Sequence, residues 1–204
     1  MYAAIADSIR MDIIGKSLTP LRQKLVEPLN TYIQQKIQRK EVVAIQFICT
    51  HNSRRSHLAQ IWAQIAAHYY DIPYAHCYSG GTEETALFPQ VIETLNKQGL
   101  VILKLSESSN PVYAIKFSDT ASPIMAFSKK HDHPFNPSSG FAAVLTCSQA
   151  DEGCPFIPGA EQRIPMTYDD PKLSDNSDEQ AQVYTERSLE IAKEMFYIFS
   201  RIKL

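Results

Sequence analysis

The sequence predicts an α/β protein of three layers, in which a central, mainly parallel sheet is flanked by helices. Apolar runs typical of buried strands alternate along the chain with segments whose apolar residues recur at helical spacing. Such alternation is typical of a parallel sheet that is covered on both faces. The chain has 204 residues and is 44% hydrophobic, which is enough for one domain with a full core, alone or with an extension.

The residues before the first apolar strand are predicted to be a helical extension, residues 1–41, packed on a main domain, residues 42–204. Thr19-Pro20 is a helix-start signal, because proline is tolerated in the first turn. Leucine and isoleucine then recur on one helical face. We expect Pro28 to kink or split this helix, because proline lacks the N–H that the helix interior needs.

The main domain begins with a predicted strand at Val42–Ile48, a loop, and a helix at Arg55–Tyr70. The polar, proline-rich segment Ser118–Gly140 is predicted to be a long functional loop. Its charges at Lys129 and Lys130 are expected at the surface of that loop, and the sequence leaves open whether they contact a substrate or a partner. The other predicted elements are a strand at Tyr74–Tyr78, a turn at Ser79–Thr82, a helix from Phe88-Pro89 to Gly99, a hairpin of Val101–Leu105 and Val112–Phe117, strands at Phe141–Thr146 and Arg163–Met166, and a closing helix at Asp175–Arg201.

The composition limits the binding partners and the cellular compartment that we expect for this protein. The net charge of −2 gives no reason to expect nucleic acid or a membrane surface as partner. No apolar run reaches the roughly 18 residues of a membrane span, and the N-terminal residues lack the apolar core of a signal peptide. We therefore expect a cytoplasmic protein, in whose reducing surroundings the four cysteines are catalytic, redox-active or metal-binding rather than joined in structural disulfides.

The loop after the first strand carries the strongest functional signal. Cys49 is followed by five residues and then by Arg55 and Ser56. A turn between a strand and a helix start directs several backbone N–H groups at one spot, and the helix dipole adds positive potential there. The sequence therefore predicts a site for a tetrahedral oxyanion beside a thiol that ionises readily. A buried cysteine with an unrelated arginine is the alternative interpretation.

The segment Cys49–Ser56 resembles the phosphate-binding loop of low-molecular-weight protein tyrosine phosphatases and of the arsenate reductases that share their fold. The resemblance implies that Cys49 is the nucleophile, that Arg55 holds two oxygens of the anion, and that Ser56 donates a hydrogen bond to the thiolate. It also implies that Asn52 keeps the loop in shape. The residues expected to surround the oxyanion are Thr50, His51, Asn52, Ser53, Arg54 and Ser56.

Two residues of this loop depart from the family's pattern. His51 stands where the family usually has glycine. We expect the loop to keep its shape, because histidine is among the residues that best tolerate a positive φ. Arg54 replaces a common cysteine and adds positive charge next to the site.

Asp170 lies in the run Tyr168–Pro171, just before the closing helix. The resemblance implies that Asp170 is the general acid, which protonates a leaving oxygen that otherwise departs as a poor, highly charged group. On the residues alone, an Asp-Pro turn at a helix start is the other interpretation.

Cys147 and Cys154 follow a predicted buried strand and lie seven positions apart. If residues 147–154 form a helix, the two Cα atoms are about 10.5 Å apart. A disulfide needs roughly 4.4–6.8 Å, so the bond requires the helix to unwind, which Gly153 favours. The residues alone leave open a redox pair, a core thiol with a loop thiol, and a zinc pair that lacks two further ligands. We expect no metal and no cofactor.

The run from Cys147 to Pro155, with its Ala-Asp-Glu and Cys-Pro, resembles thioredoxin-linked arsenate reductases. The resemblance implies a cascade in three steps with arsenate as a small oxyanion substrate. Cys49 attacks arsenate, Cys147 then attacks Cys49 and releases arsenite, and Cys154 finally attacks Cys147 to leave a disulfide for thioredoxin.

Two other functions remain open. One is a phosphatase that hydrolyses phosphomonoesters through a phosphorylated Cys49, and the other is a non-catalytic oxyanion-binding module. Lys172 favours the reductase, because phosphatases of this fold commonly carry an aromatic residue directly after the Asp-Pro pair. Cys77 matches no thiol of the family and is predicted to lie in the core. His131 and His133 are predicted to lie in a solvated loop.

Overall fold

The computed structural model describes residues 1–153 and 156–204, and within them a central sheet of four parallel strands lies between layers of helices. The strands are β1 (Val43–Cys49), β2 (Ala75–Gly81), β3 (Val101–Lys104), β4 (Tyr113–Lys116), β5 (Ile124–Ala126), β6 (Phe141–Leu145) and β7 (Ala160–Pro165). The helices are α1 (Ala3–Ser8), α2 (Pro20–Gln38), α3 (Arg55–Tyr69), α4 (Pro89–Lys97), α5 (Ser148–Gly153) and α6 (Gln180–Ser200). The predicted fold class is confirmed.

The parallel sheet has the strand order β2-β1-β6-β7. Every residue of β1 and β6 is buried, which explains why both strands read as continuous apolar runs in the sequence. Because the strands are parallel, β1, β2 and β6 end at the same edge of the sheet. Cys49 is the last residue of β1 and pairs with Gly81, the last residue of β2. This edge is where the site is built.

The N-terminal segment shares the main hydrophobic core. Ile5 and Ile9 from the first helical turns, and Leu29 and Ile33 from α2, are fully buried in the same cluster as β1 and α3. We therefore propose that residues 1–41 are an extension of the main domain rather than a separate unit.

Thr19 begins α2 as predicted, since its hydroxyl accepts a hydrogen bond from the N–H of Arg22 at 3.3 Å. We expected Pro28 to kink or split this helix, and the expectation of a split is wrong. Helix α2 runs without a break through Pro28, because Val26 and Leu29 on either side are fully buried and hold the helix against the core.

A second, antiparallel sheet with the order β3-β4-β5 lies beside the central sheet. The predicted hairpin of β3 and β4 is confirmed by their antiparallel pairing. Strand β5 falls within Ser118–Gly140, which the sequence predicts as a loop, so that prediction is wrong at this point. Three residues are too short a run for an alternating pattern to be recognised.

Two predicted boundaries are also wrong. The residues Ser79–Gly81, predicted as a turn, belong to β2, because they continue to pair with β1 up to Cys49. The closing helix begins at Gln180 rather than Asp175. A separate 3-10 turn, Pro171–Ser174, precedes it in the chain. Over residues 1–153 and 156–204, no helix combines the length and the apolar character needed to cross a lipid bilayer.

Candidate active site

The oxyanion loop, residues 49–56, lies between the end of β1 and the first turn of α3. A chain of hydrogen bonds leads from the backbone of Lys129 to the sulfur of Cys49. The backbone N–H of Lys129 donates to Asn52 Oδ1 at 2.9 Å, so the amide nitrogen of Asn52 is free to donate to Ser56 Oγ at 2.8 Å. Ser56 Oγ lies 3.1 Å from Cys49 Sγ. The hydroxyl of Ser56 accepts from Asn52 and can donate its own hydrogen to the sulfur.

Asn52 also provides the unusual backbone of this loop. Its φ is +44°, in the left-handed region that asparagine tolerates better than most residues. We expected His51 to adopt a positive φ, and the structure places it at Asn52 instead. The His51 carbonyl oxygen accepts from Ser128 Oγ at 2.9 Å and from Thr85 Oγ1 at 3.1 Å. Its imidazole lies at the rim, 3.2 Å from a carboxylate oxygen of Glu83.

The guanidinium of Arg55 connects the loop with the proposed acid. Arg55 is buried and donates to the Tyr168 carbonyl oxygen at 2.9 Å and to Asp170 Oδ2 at 2.6 Å. The second carboxylate oxygen of Asp170 accepts from the N–H of Lys172 at 3.1 Å. An oxyanion that binds Arg55 therefore shares the guanidinium with Asp170, and the carboxyl group lies directly beside the anion's oxygens.

Arg54 has partners other than the site. Its guanidinium donates to Tyr184 Oη and to Asp175 Oδ2, each at 2.6 Å, and lies 3.9 Å from the centroid of the Phe88 ring. These contacts fasten the end of the loop to α6 and to the start of α4. We infer that Arg54 contributes positive charge and anchoring, while direct contact with the anion falls to Arg55.

Lys129 was missed by sequence reasoning. We expected an exposed loop charge, but its side chain is fully buried, with the ammonium 4.4 Å from the Phe127 ring centroid and 3.3 Å from the Phe127 carbonyl oxygen. Burial lowers the pKa of Lys129 to about 7. The aromatic residues Phe127 and Phe135 on either side are the only sequence signal for this burial that we find.

Cys147 lies beside Cys49 at the same edge of the sheet. Ile48 of β1 pairs with Leu145 of β6, and the next residue, Thr146, donates its N–H to the Ile48 carbonyl oxygen at 2.7 Å. Cys147 is thus one residue past the position opposite Cys49. It lies just beyond the end of β6, at the same edge of the sheet as Cys49. Both cysteines belong to one buried cluster.

The sulfur of Cys147 also begins α5. It accepts a hydrogen bond from the N–H of Ala150 at 3.4 Å, the position of a helix N-cap, and lies 3.5 Å from Thr50 Oγ1. Thr50 donates in turn to the side-chain oxygen of Gln149 at 3.3 Å. The sequence did not single out Gln149. Cys154, the third predicted thiol, lies outside the described residues.

A cavity of about 580 Å³ opens over the loop. It brings together three of the predicted catalytic residues, Cys49, Arg55 and Asp170. Asn52 and Ser56 lie behind it, in the wall that supports the sulfur. The remaining lining residues are Thr50, His51, Ser53, Arg54, Gln149, Lys172 and Leu173.

No cluster of three or more histidine, cysteine, aspartate or glutamate side chains with the arrangement of a metal site occurs in the part of the chain that the structure describes. Cys77 is buried in the core, and burial raises the pKa of its thiol. The groups in or beside this cavity that could carry chemistry are the sulfur of Cys49, the guanidinium of Arg55, the carboxyl group of Asp170 and the thiol of Cys147.

Comparisons with known proteins match this geometry. No family model matches the chain. Over 128 residues, 62% of this chain, the sequence is 30% identical to an arsenate reductase of Staphylococcus aureus strain Newman, of which 77% is covered. It is 28% identical to arsenate reductase 2 of Staphylococcus epidermidis over 128 residues, again 62% of this chain and 77% of the relative.

Two solved structures share the fold. One is an arsenate reductase in a phosphate-binding state, with a TM-score of 0.51 and 15% identity over 79% of this chain and 100% of the other. The second is a low-molecular-weight phosphotyrosine phosphatase from Vibrio cholerae, with a TM-score of 0.51 and 12% identity over 78% of this chain and 94% of the other. At such identities the likeness shows the fold alone.

Proposed function

Because this chain belongs to the arsenate reductase family, within the superfamily of low-molecular-weight protein tyrosine phosphatases, we propose that it reduces arsenate to arsenite through its cysteines. The oxyanion would bind over Cys49, in the loop that Arg55 closes. Thioredoxin would supply the electrons that return the enzyme to its reduced state.

The observation that carries this proposal is the position of Cys147. A phosphatase of this fold needs one thiol, whereas here a second thiol lies beside the first, at the ends of neighbouring parallel strands. Neighbouring parallel strands lie about 4.8 Å apart, so residues at their ends are close to the Cα separation that a disulfide needs. A small core residue would serve for packing alone, so the placement of a thiol here supports reduction.

In the first step the thiolate of Cys49 attacks the arsenic atom of arsenate. A sulfur–arsenic bond forms, and one arsenic–oxygen bond breaks. Asp170, when it carries a proton, donates that proton so that the oxygen leaves as water. Arg55 holds two of the remaining oxygens and offsets their charge. The arsenic is still at its higher oxidation state after this step.

In the second step the thiolate of Cys147 attacks Cys49 Sγ. The new sulfur–sulfur bond replaces the sulfur–arsenic bond, and its electron pair stays on arsenic, which leaves as arsenite. In the third step the thiolate of Cys154 attacks Cys147 Sγ and releases the thiolate of Cys49. Thioredoxin, a dithiol, then reduces the disulfide between Cys147 and Cys154.

The size of the cavity favours hydrolysis of phosphomonoesters as a second candidate function. A volume of about 580 Å³ is several times what one tetrahedral oxyanion occupies and leaves room for an organic leaving group. The exposed side chains of Lys172 and Leu173 border that space. Hydrolysis would use Cys49, Arg55 and Asp170 without Cys147, because water rather than a second thiol would resolve the intermediate.

The decisive experiment runs both reactions on the same variants. Thioredoxin-coupled NADPH consumption with arsenate is measured beside hydrolysis of a small aryl phosphate. Cys147→Ser is expected to lower arsenate turnover at least about a hundredfold, since no resolving thiol remains, and to change aryl phosphate hydrolysis less than about threefold. Cys77→Ser is the matched control and should reduce arsenate like the parent. Arsenate turnover by Cys147→Ser at the parent rate would rule out the cascade.

A further inference from the structure

Arg22, in the first turn of α2, reaches across to the last helix. Its guanidinium donates through Nη2 to Glu194 Oε2 at 2.7 Å and through Nε to the other oxygen of the same carboxylate. Its remaining nitrogen, Nη1, donates to the Thr167 carbonyl oxygen at 3.0 Å. The two hydrogen bonds to Glu194 form a bidentate pair, which a planar guanidinium provides and an ammonium group does not.

Glu194 is fully buried and has a second donor. The hydroxyl of Tyr168 donates to Glu194 Oε2 at 2.7 Å, and the carbon at the centre of the Arg22 guanidinium lies 4.8 Å from the centroid of the Tyr168 ring. Two consecutive residues, Thr167 and Tyr168, are therefore held by one partly buried ion pair. They begin the strap, residues 167–170, that ends in Asp170.

The other end of the strap is held by the catalytic arginine. The carbonyl oxygen of Tyr168 accepts from Arg55 Nη1 at 2.9 Å, and the carboxylate of Asp170 accepts from Arg55 Nη2 at 2.6 Å. Tyr168 thus contacts the Arg22–Glu194 pair through its side chain and Arg55 through its backbone. A shift of Tyr168 would move both contacts of the Arg55 guanidinium together.

We propose that Arg22 is a positioning residue, through which the N-terminal extension holds Arg55 and Asp170 in the arrangement that the reaction requires. This inference rests on the proposed function, because it takes Arg55 and Asp170 as the oxyanion ligand and the acid. Displacement of a reacting group by about 1 Å can cost about a hundredfold in rate. A carboxylate left buried without its arginine would force such a displacement.

The test separates positioning from simple packing. The double variant Arg22→Met with Glu194→Gln removes the guanidinium and leaves no unpaired buried carboxylate. Aryl phosphates whose leaving groups differ in acidity are hydrolysed by the parent, the double variant and Arg10→Met. Arg10 is an exposed arginine of the same extension whose partner is Asp7, so Arg10→Met is the matched control. The affinity for inorganic phosphate is measured by calorimetry on all three proteins.

The double variant is expected to lose about ten- to a hundredfold in kcat, most for the least acidic leaving groups, because those depend most on Asp170. Its affinity for phosphate should fall about threefold to tenfold, while Arg10→Met behaves like the parent. A folded double variant with the parent's kcat, leaving-group dependence and phosphate affinity would overturn the proposal while leaving the proposed function intact.

Two further outcomes are decisive. If the double variant does not fold, Arg22→Lys replaces it in the test. Lysine keeps a positive charge opposite Glu194 but cannot make both hydrogen bonds of the guanidinium to this carboxylate. Parent-like kinetics in Arg22→Lys would overturn the positioning role. If the parent itself hydrolyses no aryl phosphate, the shared first chemical step fails. In that case the affinity for phosphate still tests the positioning role of Arg22. Unchanged phosphate binding in the double variant would mean that Arg22 does not act on Arg55.

Discussion

Two segments border the cavity, and they are built in opposite ways. The oxyanion loop, residues 49–56, is held by side chains and backbone from several elements. The redox segment, residues 147–153, is a six-residue helix that begins on the sulfur of Cys147 itself. The comparison suggests that one part of the site stays in place during the reaction while the other is able to rearrange.

The oxyanion loop is fastened along its whole length. The carbonyl oxygens of Cys49 and Thr50 accept from the N–H groups of Thr82 and Glu83 at 3.1 and 2.8 Å, and that of Ser53 accepts from Phe88 at 3.1 Å. These bonds leave the loop's own N–H groups available for an anion. A site with its donors already in place loses little free energy to reorganisation when charge develops.

The redox segment depends on a few contacts. A helix of this length is not stable on its own in water. It is held by the ion pair of Asp151 with Arg163 at 2.6 Å, by the buried Ala150, and by the cap that Cys147 provides. A disulfide at Cys147 would make its sulfur a poorer acceptor, so the proposed oxidation would weaken the first turn of α5.

The largest expected effect is that of Cys49→Ser. Replacing the nucleophilic sulfur by a hydroxyl should lower both arsenate reduction and aryl phosphate hydrolysis to below about one thousandth. Phosphate affinity, measured by calorimetry, should stay within about tenfold of the parent, because the rigid loop keeps its donors. Loss of phosphate binding as well would mean that the loop depends on its sulfur for its shape, and the contrast between the two segments would fail.

Ser56→Ala is the next largest change. It removes the hydroxyl that lies 3.1 Å from Cys49 Sγ, at the end of the path through Asn52. A hydrogen bond to a charged group is worth about 1.5–3 kcal/mol. The rate of Cys49 alkylation by iodoacetamide at a fixed, mildly acidic pH should therefore fall, with a loss of about ten- to a hundredfold in kcat near neutral pH.

The matched control for that variant is Ser122→Ala, which alters an exposed serine remote from the loop. Its alkylation rate should equal that of the parent. An unchanged rate in Ser56→Ala would show that the reactivity of the sulfur does not depend on this hydroxyl.

The local part of the site could be predicted from sequence, while its supports could not. The strand before Cys49 and the helix after Arg55 follow from apolar runs within a few residues. The donor to Asn52 comes from the backbone of Lys129, 77 residues away. A backbone N–H is offered by nearly every residue type, so no side-chain pattern marks it. Residues 124–126, by contrast, were predicted as loop because three residues carry too little periodicity to reveal a strand.

The same distinction applies to Arg22 and Pro28 in α2. The helix start at Thr19-Pro20 is a local signal and was predicted. The ion pair of Arg22 with Glu194 joins residues 172 positions apart, and an arginine in the first turn of a helix is ordinarily solvated. Pro28 shows that packing overrides local preference, since the helix continues through it. Contacts that form only in the assembled tertiary structure cannot be predicted from residues that are adjacent in the sequence.

Asp151→Asn is expected to act on the redox segment alone. It removes the charge that pairs with Arg163 at 2.6 Å. Partly exposed ion pairs contribute about 0.2–1 kcal/mol, so amide hydrogen exchange in residues 150–153 should become roughly two- to fivefold faster. Exchange in the oxyanion loop and aryl phosphate hydrolysis should not change. Glu152→Gln, at an exposed position of the same helix, is the control. Equal acceleration in both segments would show that they open together.

The smallest expected effect concerns Lys129, whose backbone, not its side chain, supports the loop. Burial lowers the pKa of Lys129 to about 7, from an ordinary value of 10.5. Between these values the unfolded chain binds more protons than the folded one, so this group makes the free energy of unfolding rise with pH. His57 shares Ser79 with Lys129 and has its pKa lowered to about 3 by burial and by that charge, so it stays neutral throughout this window.

Lys129→Met should therefore gain stability relative to the parent below pH 7 and lose that advantage as the pH approaches 10. Melting temperatures at pH 6, 8 and 9.5 measure the difference, with Lys130→Met as the control at a neighbouring exposed lysine. A shift of a few degrees is expected at pH 6, with kcat for aryl phosphate within about threefold, because the N–H that holds Asn52 remains in place. A large loss of kcat in Lys129→Met would mean that the buried ammonium itself acts on the loop, and that the rigid segment needs a charge beneath it as well as its hydrogen bonds.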